Sequence, residues 1–400
     1  MSDTMVKAAP ATPRPPSVPR RRNWWAIGGA ALLLVALVLL PVAVGSQVAY
    51  LKVAQYILIG AVGGIGLTLL VGQAGQLSLA HPFFLLVGAV SYAVLSGEPE
   101  VDLVALGLPP LLGMIGAVMI AGLFGLAFAP VAGRLRGIYL GVASLSLVFL
   151  GLWLGQSLES LTGGTSSGRT PPNFELFGFE FANSQPAPTV LGVAIQKQQR
   201  LWFLFLVLAV LAYLLARGAV RSRIGRAWRA VRDNEAAATA MGINVTRVKA
   251  GAFVVSSAYA GLAGVMTALW LDLVKPDENE FTGNYSLTVA IAFLAIVIIG
   301  GLGSVPGAVF GAIMVYGLQQ FFLLGANEFG WFADAQFGGL TAVVLSAFVY
   351  GTAVVLVVLF EPGGAAAIGR RILARRRPQA VPAGSGGRTT PERNDDDPRA

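Results

Sequence analysis

The sequence contains no cysteine and only one histidine, His81, so it can form neither a disulfide framework nor a thiolate or multi-histidine metal centre. Charged residues make up 12% of the chain, against roughly 25% in soluble domains. No G-x-x-x-x-G-K-[ST] segment occurs, so the usual phosphate-binding loop of an ATPase is missing. These absences exclude a soluble globular domain, a thiolate metal site and a chain that binds ATP in the usual way.

Apolar residues, in contrast, make up 55% of the chain and lie in long runs. A membrane-spanning helix needs about 20 apolar residues, and the 50 glycines suit helices that pack closely in lipid. The third, eighth and ninth runs are short or are interrupted by glycine or proline. We therefore predict an all-α integral membrane protein with about ten transmembrane helices, at residues 24–44, 53–71, 81–96, 108–130, 137–155, 201–217, 250–271, 286–301, 305–325 and 338–360.

The distribution of Lys and Arg predicts the orientation of these spans. Ten spans place both termini on one side of the membrane, and if that side is the cytoplasm, 23 of the 28 basic residues lie there. This topology and the attraction to anionic lipid explain the basic surplus, so no nucleic-acid partner is predicted. The first span could be a cleaved signal peptide, but it is longer than the usual apolar core of about 7–15 residues, which favours a retained helix.

The predicted organisation follows from these spans. Residues 1–23 form a disordered basic cytoplasmic arm, residues 24–362 the membrane domain, and residues 363–400 a disordered cytoplasmic tail. Within the membrane domain, residues 157–199 form a large external loop and residues 218–250 a cytoplasmic loop.

Acidic residues are absent from the centres of the predicted spans. All 20 Asp and Glu residues fall in loops, tails or span ends. An ionisable group inside the membrane is the usual mark of proton or ion coupling. Its absence disfavours a stand-alone secondary carrier. A membrane enzyme such as a lipid or polyprenyl transferase is also disfavoured, because no acidic or histidine cluster is concentrated near a membrane face.

Two glycine-rich stretches lie at predicted inner helix ends, GQAGQLSLAHPFF at residues 72–84 and GGLGSVPGAVFGA at residues 300–312. Interrupted helix ends at membrane depth are tolerated where they face protein or a water-filled path, and transporters use them to present backbone groups to substrates. The alternatives are a tight turn with Ser78 as a helix N-cap, and a histidine that bridges two helices. The candidate residues for a translocation path are Gln73, Gln76, Ser78, His81, Ser144 and Ser304.

The segment SRIGRAWRAVRDNEAAATAMGIN, residues 222–244, is polar and basic between apolar runs and is called the basic loop below. Its composition predicts a helix that stops at Gly242. Alanines at positions 236, 237, 238 and 240 form a smooth flank beside a basic and aromatic face of Arg226, Trp228, Arg229 and Arg232. A helix on the lipid surface is the alternative, but alanine is too weakly apolar to bury strongly in lipid. A small-residue helix edged with arginine fits a groove on a partner protein.

The chain resembles the permease subunits of ABC importers for branched-chain amino acids, the LivM-like branch, over about residues 50–360. The resemblance rests on GQAGQLSLAH, RLRGIYLGVASLSL, LTGGTSSG, IGRAWRAVRDNEAAATAMGIN and IVIIGGLGSVPGAVFGA, in this order. It implies that the basic loop is the coupling helix that contacts a separate cytoplasmic ATPase. The family pattern is Glu-Ala-Ala, three residues, then Gly; here the glutamate precedes its usual position by one residue. The implied coupling residues are Arg226, Arg229, Arg232, Asp233, Asn234, Glu235, Ala237, Ala238 and Gly242.

The resemblance also implies the partners and the setting. These are cytoplasmic ABC ATPase subunits that bind ATP and Mg²⁺, a second homologous permease, an extracytoplasmic substrate-binding protein and membrane lipid. This chain would bind no cofactor and catalyse no reaction. The implied fold is a ten-helix, type II bundle like that of vitamin B12-type importers, in a bacterial plasma (inner) membrane. Thr162, Gly163 and Gly164 would contribute to docking of the binding protein.

The sequence departs from the family pattern at AHPFF, where a glycine usually precedes the histidine and Pro82 replaces a frequent alanine. Relatives in the wider family carry urea or other small amides, so these cargoes remain an alternative to branched-chain or other hydrophobic amino acids.

Overall fold

The computed structural model describes residues 34–41, 43–44, 47–99, 103–135, 137–176, 178–183, 189–190, 193–194, 196–277 and 285–321, together with isolated positions up to residue 364. The predicted N-terminal arm and C-terminal tail therefore lie almost wholly outside the described residues. Only isolated positions of the last predicted span are described, and the first is described from residue 34 onward, where residues 34–41 are helical.

The described part is mostly helical. The helices are α1 Val48–Leu67, continued by a π-helical turn Thr68–Gln73, α2 His81–Ser96, α3 Pro110–Arg134, α4 Ile138–Ser157, α5 Glu159–Thr162, α6 Lys197–Arg221, α7 Arg223–Asp233, α8 Glu235–Ala240, α9 Val245–Leu271, α10 Leu287–Gly300 and α11 Val305–Ala312, which continues into a π-helical turn Ile313–Gly317. Two short antiparallel hairpins join them, β1 Glu175–Leu176 with β2 Phe179–Glu180 and β3 Thr189–Val190 with β4 Val193–Ala194. Both hairpins lie in the predicted external loop, so the all-α expectation omitted a small β element there.

Five helices of the described residues are long and apolar enough to cross a membrane: Val48–Gln73, Pro110–Arg134, Ile138–Ser157, Lys197–Arg221 and Val245–Leu271. Three further apolar helices are shorter, His81–Ser96, Leu287–Gly300 and Val305–Phe321. Each coincides with a predicted span, and the three short ones are those whose sequences are short or interrupted. The chain is thus a multi-helix membrane-type bundle.

Helix α9 lies at the centre of this bundle and packs against α1, α2 and α3. Glycine permits the closest contacts. A Cβ atom on Gly88 of α2 would lie 2.2 Å from the carbonyl oxygen of Gly261 in α9, and one on Gly264 would lie 2.0 Å from that of Leu85. Helix association in lipid relies on such close backbone packing, because lipid tails are as apolar as the side chains they replace.

Helices α3, α4 and α6 present large apolar side chains outward. The exposed set includes Leu112, Ile115, Met119, Leu123, Phe149, Trp153, Val207, Leu211 and Leu214. On α4 the buried positions include the small residues Gly141, Ser144, Gly151 and Gly155. Outward-facing apolar side chains suit a protein surrounded by hydrocarbon, because they contact lipid rather than water.

The connecting segments sort onto two ends of the bundle. At one end, called the basic end, the basic loop contacts the residues that follow α1 and α9 contacts α8. At the opposite end, Arg169 pairs with Val274 through the backbone and the Trp270 indole N–H donates to the Lys52 carbonyl. Among the described residues, no hydrogen bond joins two connecting segments that are predicted to lie on opposite sides of the membrane. This agrees with the predicted order of spans.

Candidate functional site

The basic loop folds into two helices rather than the single helix predicted from its composition. The Ser222 hydroxyl oxygen accepts a hydrogen bond from the Ile224 N–H at 3.1 Å and begins α7. Asn234 then adopts extended backbone, with φ −161°, and its side-chain oxygen accepts from the Ala237 N–H at 3.0 Å to begin α8. Gly242, with φ +81°, lies just beyond the end of α8, where a helix stop was predicted. Asn234 therefore acts as a helix cap that separates two rigid pieces.

The predicted basic and aromatic face of α7 is divided between two sides. Trp228 is fully buried against the bundle. Arg226 and Arg229 are exposed. The Arg226 guanidinium donates to the carbonyl of Arg221, the last residue of α6, at 3.4 Å, and that of Arg229 donates to the Gly225 carbonyl at 3.3 Å. Residues three apart share a helix face, so Gly225, Trp228 and Val231 lie on the buried face of α7. The two arginines lie on its exposed face.

Arg232 connects α7 to the end of α1. Its guanidinium donates to the Gly72 carbonyl oxygen at 2.6 Å and to the Asp233 carboxylate at 3.0 and 3.1 Å. The last carbonyls of a helix lack partners within the helix and carry partial negative charge. A cationic donor from α7 therefore caps the α1 helix at the point where its π-helical turn ends.

Glu235 connects α8 to α9. Its carboxylate lies 2.6 Å from the Lys249 ammonium, whose side chain is only 5% exposed. The Gln76 side-chain N–H group donates to the Lys249 carbonyl at 3.3 Å. The glutamate thus pairs with a lysine of its own chain. Lys249 was missed by the sequence analysis, because its separation from Glu235 matches no helical spacing.

The two glycine-rich stretches pack directly on each other. The Gln73 side-chain amide donates to the Gly303 carbonyl at 2.6 Å. A Cβ atom on Gly72 would lie only 2.1 Å from the Gly303 backbone nitrogen. Ser304 caps α11, since its hydroxyl accepts from the Gly307 N–H at 3.1 Å. The basic loop, the end of α1 and the turn between α10 and α11 therefore form one continuous bonded assembly.

The remaining path candidates are Ser78 on the first glycine-rich turn, His81 at the start of α2 and Ser144 in α4. The Ser144 hydroxyl accepts from the Leu79 N–H and donates to the Gly141 carbonyl, both at 2.8 Å. Ser78 accepts from the Ala80 N–H at 3.3 Å, but the N-cap residue of α2 is Ala80 and no side chain caps the helix, so the N-cap alternative for Ser78 is wrong. His81 bridges α2 to α1 through a 3.0 Å contact with the Gly63 carbonyl.

Two acceptors on this turn have no hydrogen-bond partner among the described residues. They are the side-chain oxygens of Gln73 and Gln76, both buried. Buried polar groups are normally paired, so each unpaired one calls for an explanation such as a ligand or water. Among the described residues, no group of three or more His, Asp or Glu is placed to hold a metal ion.

At the opposite end, the predicted docking residues serve the fold of their own loop. The Thr162 hydroxyl donates to the Gly155 carbonyl at 2.6 Å and accepts from the Gly164 N–H at 3.2 Å. Gly163 has φ +74°, and a Cβ atom there would lie 2.0 Å from the Gly168 carbonyl oxygen. Thr162 and Gly164 are buried, and the exposed tip of this loop is residues 165–167.

Arg169 organises this end, and the sequence analysis did not single it out. Its side chain is buried, and its guanidinium donates to the Val104 carbonyl at 2.7 Å and to the Leu161 carbonyl at 3.2 Å. Its backbone N–H and carbonyl pair with Val274 at 2.9 and 2.8 Å. One residue therefore holds together the segments that precede α3, follow α4 and follow α9.

Replacing Arg169 with methionine is expected to lower the unfolding free energy by about 3 kcal/mol, because the carbonyls of Val104 and Leu161 lose a charged donor. Arg169→Lys should fall between wild type and methionine, since an ammonium lacks the planar fork. Thermal unfolding of the purified chain measures both. Arg223→Met, at an exposed arginine, is the control, and equal melting temperatures for Arg169→Met and the control would contradict this role.

Comparison with known proteins agrees with this architecture. The family described as "Branched-chain amino acid transport system / permease component" matches residues 48–359. The high-affinity branched-chain amino acid transport system permease protein LivM of Salmonella typhimurium is 30% identical over 325 residues, covering 78% of this chain and 72% of LivM. The permease protein BraD of Pseudomonas aeruginosa, from a system of the same description, is 27% identical, covering 75% of this chain and 89% of BraD.

A second class of relative is LivH of Salmonella typhimurium, which is 29% identical over 254 residues and covers 63% of this chain and 77% of LivH. No solved structure matches the chain. The family match extends over most of the chain and includes the basic loop and both glycine-rich turns. The protein belongs to the permease-component family of branched-chain amino acid transport systems.

Proposed function

We propose that this chain is the transmembrane permease subunit of an ATP-driven importer for branched-chain or other hydrophobic amino acids. The observation that carries the proposal is the bonded assembly at the basic end. Arg232 joins α7 to α1, Glu235 joins α8 to α9, and Gln73 joins the end of α1 to the turn before α11. A loop fixed in this way to three transmembrane elements can pass a partner's movement into the bundle.

The partner ATPase would contact the outward side of α7 and α8. Ala236, Ala237 and Ala240 are exposed there, and Met241 is 80% exposed at the tip. Small residues let a groove approach closely, and methionine adapts to irregular pockets. The exposed Arg226 and Arg229 flank this surface. ATP and Mg²⁺ would be bound by the partner, and no cofactor or nucleic acid by this chain.

In this mechanism, ATP binding closes the partner subunits and displaces α7 and α8. The displacement reaches α1 and α9 and switches the pathway from outward-facing to inward-facing. The unpaired side-chain oxygen of Gln73, at the first glycine-rich turn, is the proposed contact along the path. A second homologous permease would complete the pathway, and an extracytoplasmic binding protein would deliver the amino acid to the opposite end.

The proposed setting is the bacterial plasma (inner) membrane, with the basic end and both termini in the cytoplasm, which the excess of Lys and Arg supports. The proposed architecture is a ten-helix bundle of type II. It is supported by the five long and three short apolar helices, which follow the predicted order of spans.

Isolation of the tagged chain from its native membrane in mild detergent tests the assembly. Mass spectrometry of the eluate is expected to find a Walker-motif ATPase and a second, similar permease. If the chain elutes alone and moves amino acids in liposomes without ATP, the importer proposal is wrong.

Charge reversal at Arg226 and Arg229 together is expected to reduce ATP-driven uptake by about tenfold or more, because it replaces two cations of the proposed contact surface with anions. The chain should still accumulate and fold, since both side chains are exposed and donate only to backbone carbonyls within nine residues of the chain. Uptake by proteoliposomes containing the full complex is the measurement. Arg247→Glu changes charge at the same end outside α7 and α8, and uptake equal to this control would refute the docking surface.

A further inference from the structure

A cavity of about 350 Å³ lies at the basic end, between the basic loop, the first glycine-rich turn and the segment joining α3 to α4. Its volume is at the lower end of the range of about 300–1,000 Å³ for small-molecule sites. The walls include side chains from three helices and two connecting segments: Leu140, Asp233 and Lys249 from the helices, and Gln76 and Leu135 from the segments. The cavity therefore lies between the basic loop and the membrane helices.

The polar lining carries both signs of charge. Arg232 and Lys249 contribute cations, and Asp233 and Glu235 contribute carboxylates. Gln76 is 3% exposed, and its side-chain oxygen has no hydrogen-bond partner among the described residues. A neutral acceptor left unpaired in such a place needs an N–H or O–H donor from a ligand or water.

The rest of the lining is aliphatic. Leu135 follows α3, Leu140 lies in the first turn of α4, and Val231 projects from α7. Leu140 and Val231 are each 2% exposed. The cavity thus combines a cation, a carboxylate, a free acceptor and an apolar wall within a volume suited to one small molecule.

We propose that this cavity binds a free amino acid with an aliphatic side chain, as a site on the basic end separate from the pathway. The inference rests on the proposed function, which supplies such an amino acid on the cytoplasmic side. The ligand's carboxylate pairs with Arg232, its ammonium with Asp233 and the Gln76 side-chain oxygen, and its side chain packs on Leu135 and Leu140. Because these groups belong to α7 and to the bundle, a bound amino acid restrains the loop whose movement drives transport.

The test is equilibrium binding of tritiated L-leucine to the purified full chain in lipid nanodiscs, without partner proteins. Saturable binding is expected, with displacement by L-isoleucine and L-valine. Isocaproate, which lacks the ammonium, and isoamylamine, which lacks the carboxylate, should compete at least about tenfold less well.

Two variants locate the site. Leu135→Trp fills the cavity and Asp233→Asn removes a carboxylate, and each should weaken binding by about tenfold or more. Leu126→Trp, at an exposed position of α3, is the matched control and should bind as wild type.

Absence of saturable binding to the folded chain overturns the proposal, as does binding that neither Leu135→Trp nor Asp233→Asn weakens. Uptake of L-leucine by the fully reconstituted complex is measured in parallel. If the complex takes up L-leucine but the chain does not bind it in this assay, only the cavity site is rejected. If the wild-type complex shows no ATP-driven uptake, the proposed function is contradicted.

Discussion

Replacement of Gly72 by alanine is expected to destabilise the protein by about 3 kcal/mol, the upper end of the range for overpacked sites. The new Cβ atom would lie 2.1 Å from the Gly303 backbone nitrogen and 2.5 Å from its Cα atom. Backbone atoms cannot rotate away as a side chain does, so the two glycine-rich turns must separate. Their separation would break the Gln73–Gly303 hydrogen bond and displace the Gly72 carbonyl from Arg232.

Thermal unfolding in nanodiscs and the yield of monodisperse protein measure this effect. Gly251→Ala is the matched control, because a Cβ atom on Gly251 meets nothing within 4 Å. That control is expected to be neutral or stabilising by up to about 1 kcal/mol, as alanine favours a helix over glycine. A Gly72→Ala protein with the melting temperature of Gly251→Ala would show that the two turns do not pack as described.

Neutralising Glu235 is the second large expected effect. Glu235→Gln leaves the Lys249 ammonium without its carboxylate in a site where the lysine side chain is 5% exposed. Removing one partner of a buried ion pair is strongly unfavourable, and we expect a loss of about 2 kcal/mol, reduced from the usual cost because the glutamate is partly exposed. Lys249→Met should cost less, since the remaining carboxylate can reach water.

The double variant Glu235→Gln/Lys249→Met separates stability from coupling. It removes both charges, so much of the lost stability should return. ATP-driven uptake should stay low, however, because the contact between α8 and α9 is missing. Unfolding measurements give the interaction energy of the pair, and uptake by the reconstituted complex gives the coupling. A double variant that is stable and transports at the wild-type rate would show that the pair only stabilises the fold.

The positions of the apolar helices that the structure describes were predictable from the sequence. A chain in lipid must satisfy every backbone group internally, so an apolar run of sufficient length specifies a helix with little dependence on its neighbours. The run at 81–96 corresponds to α2 residue for residue, and the run at 250–271 ends where α9 ends. The excess of Lys and Arg likewise predicted which loops share an end of the bundle.

The contacts that assemble the site were not predictable in this way. Arg232 lies 160 positions from Gly72, and Gln73 lies 230 positions from Gly303. Such pairs depend on how whole helices pack, which periodicity does not report. For the same reason the sequence did not reveal that Ser304 caps a helix or that the Arg169 side chain joins distant segments.

Helix α9 has 27 residues, a length of about 40 Å. Lys249 near its start meets α8, and the segment after its end pairs with Arg169. Backbone contacts at Gly261 and Gly264 leave it little freedom to bend between these points. Binding events at its two ends would therefore share one coupling free energy, which is reciprocal. If nucleotide binding at the basic end changes the affinity of the complex for the binding protein at the opposite end, the binding protein must change the affinity for nucleotide by the same factor.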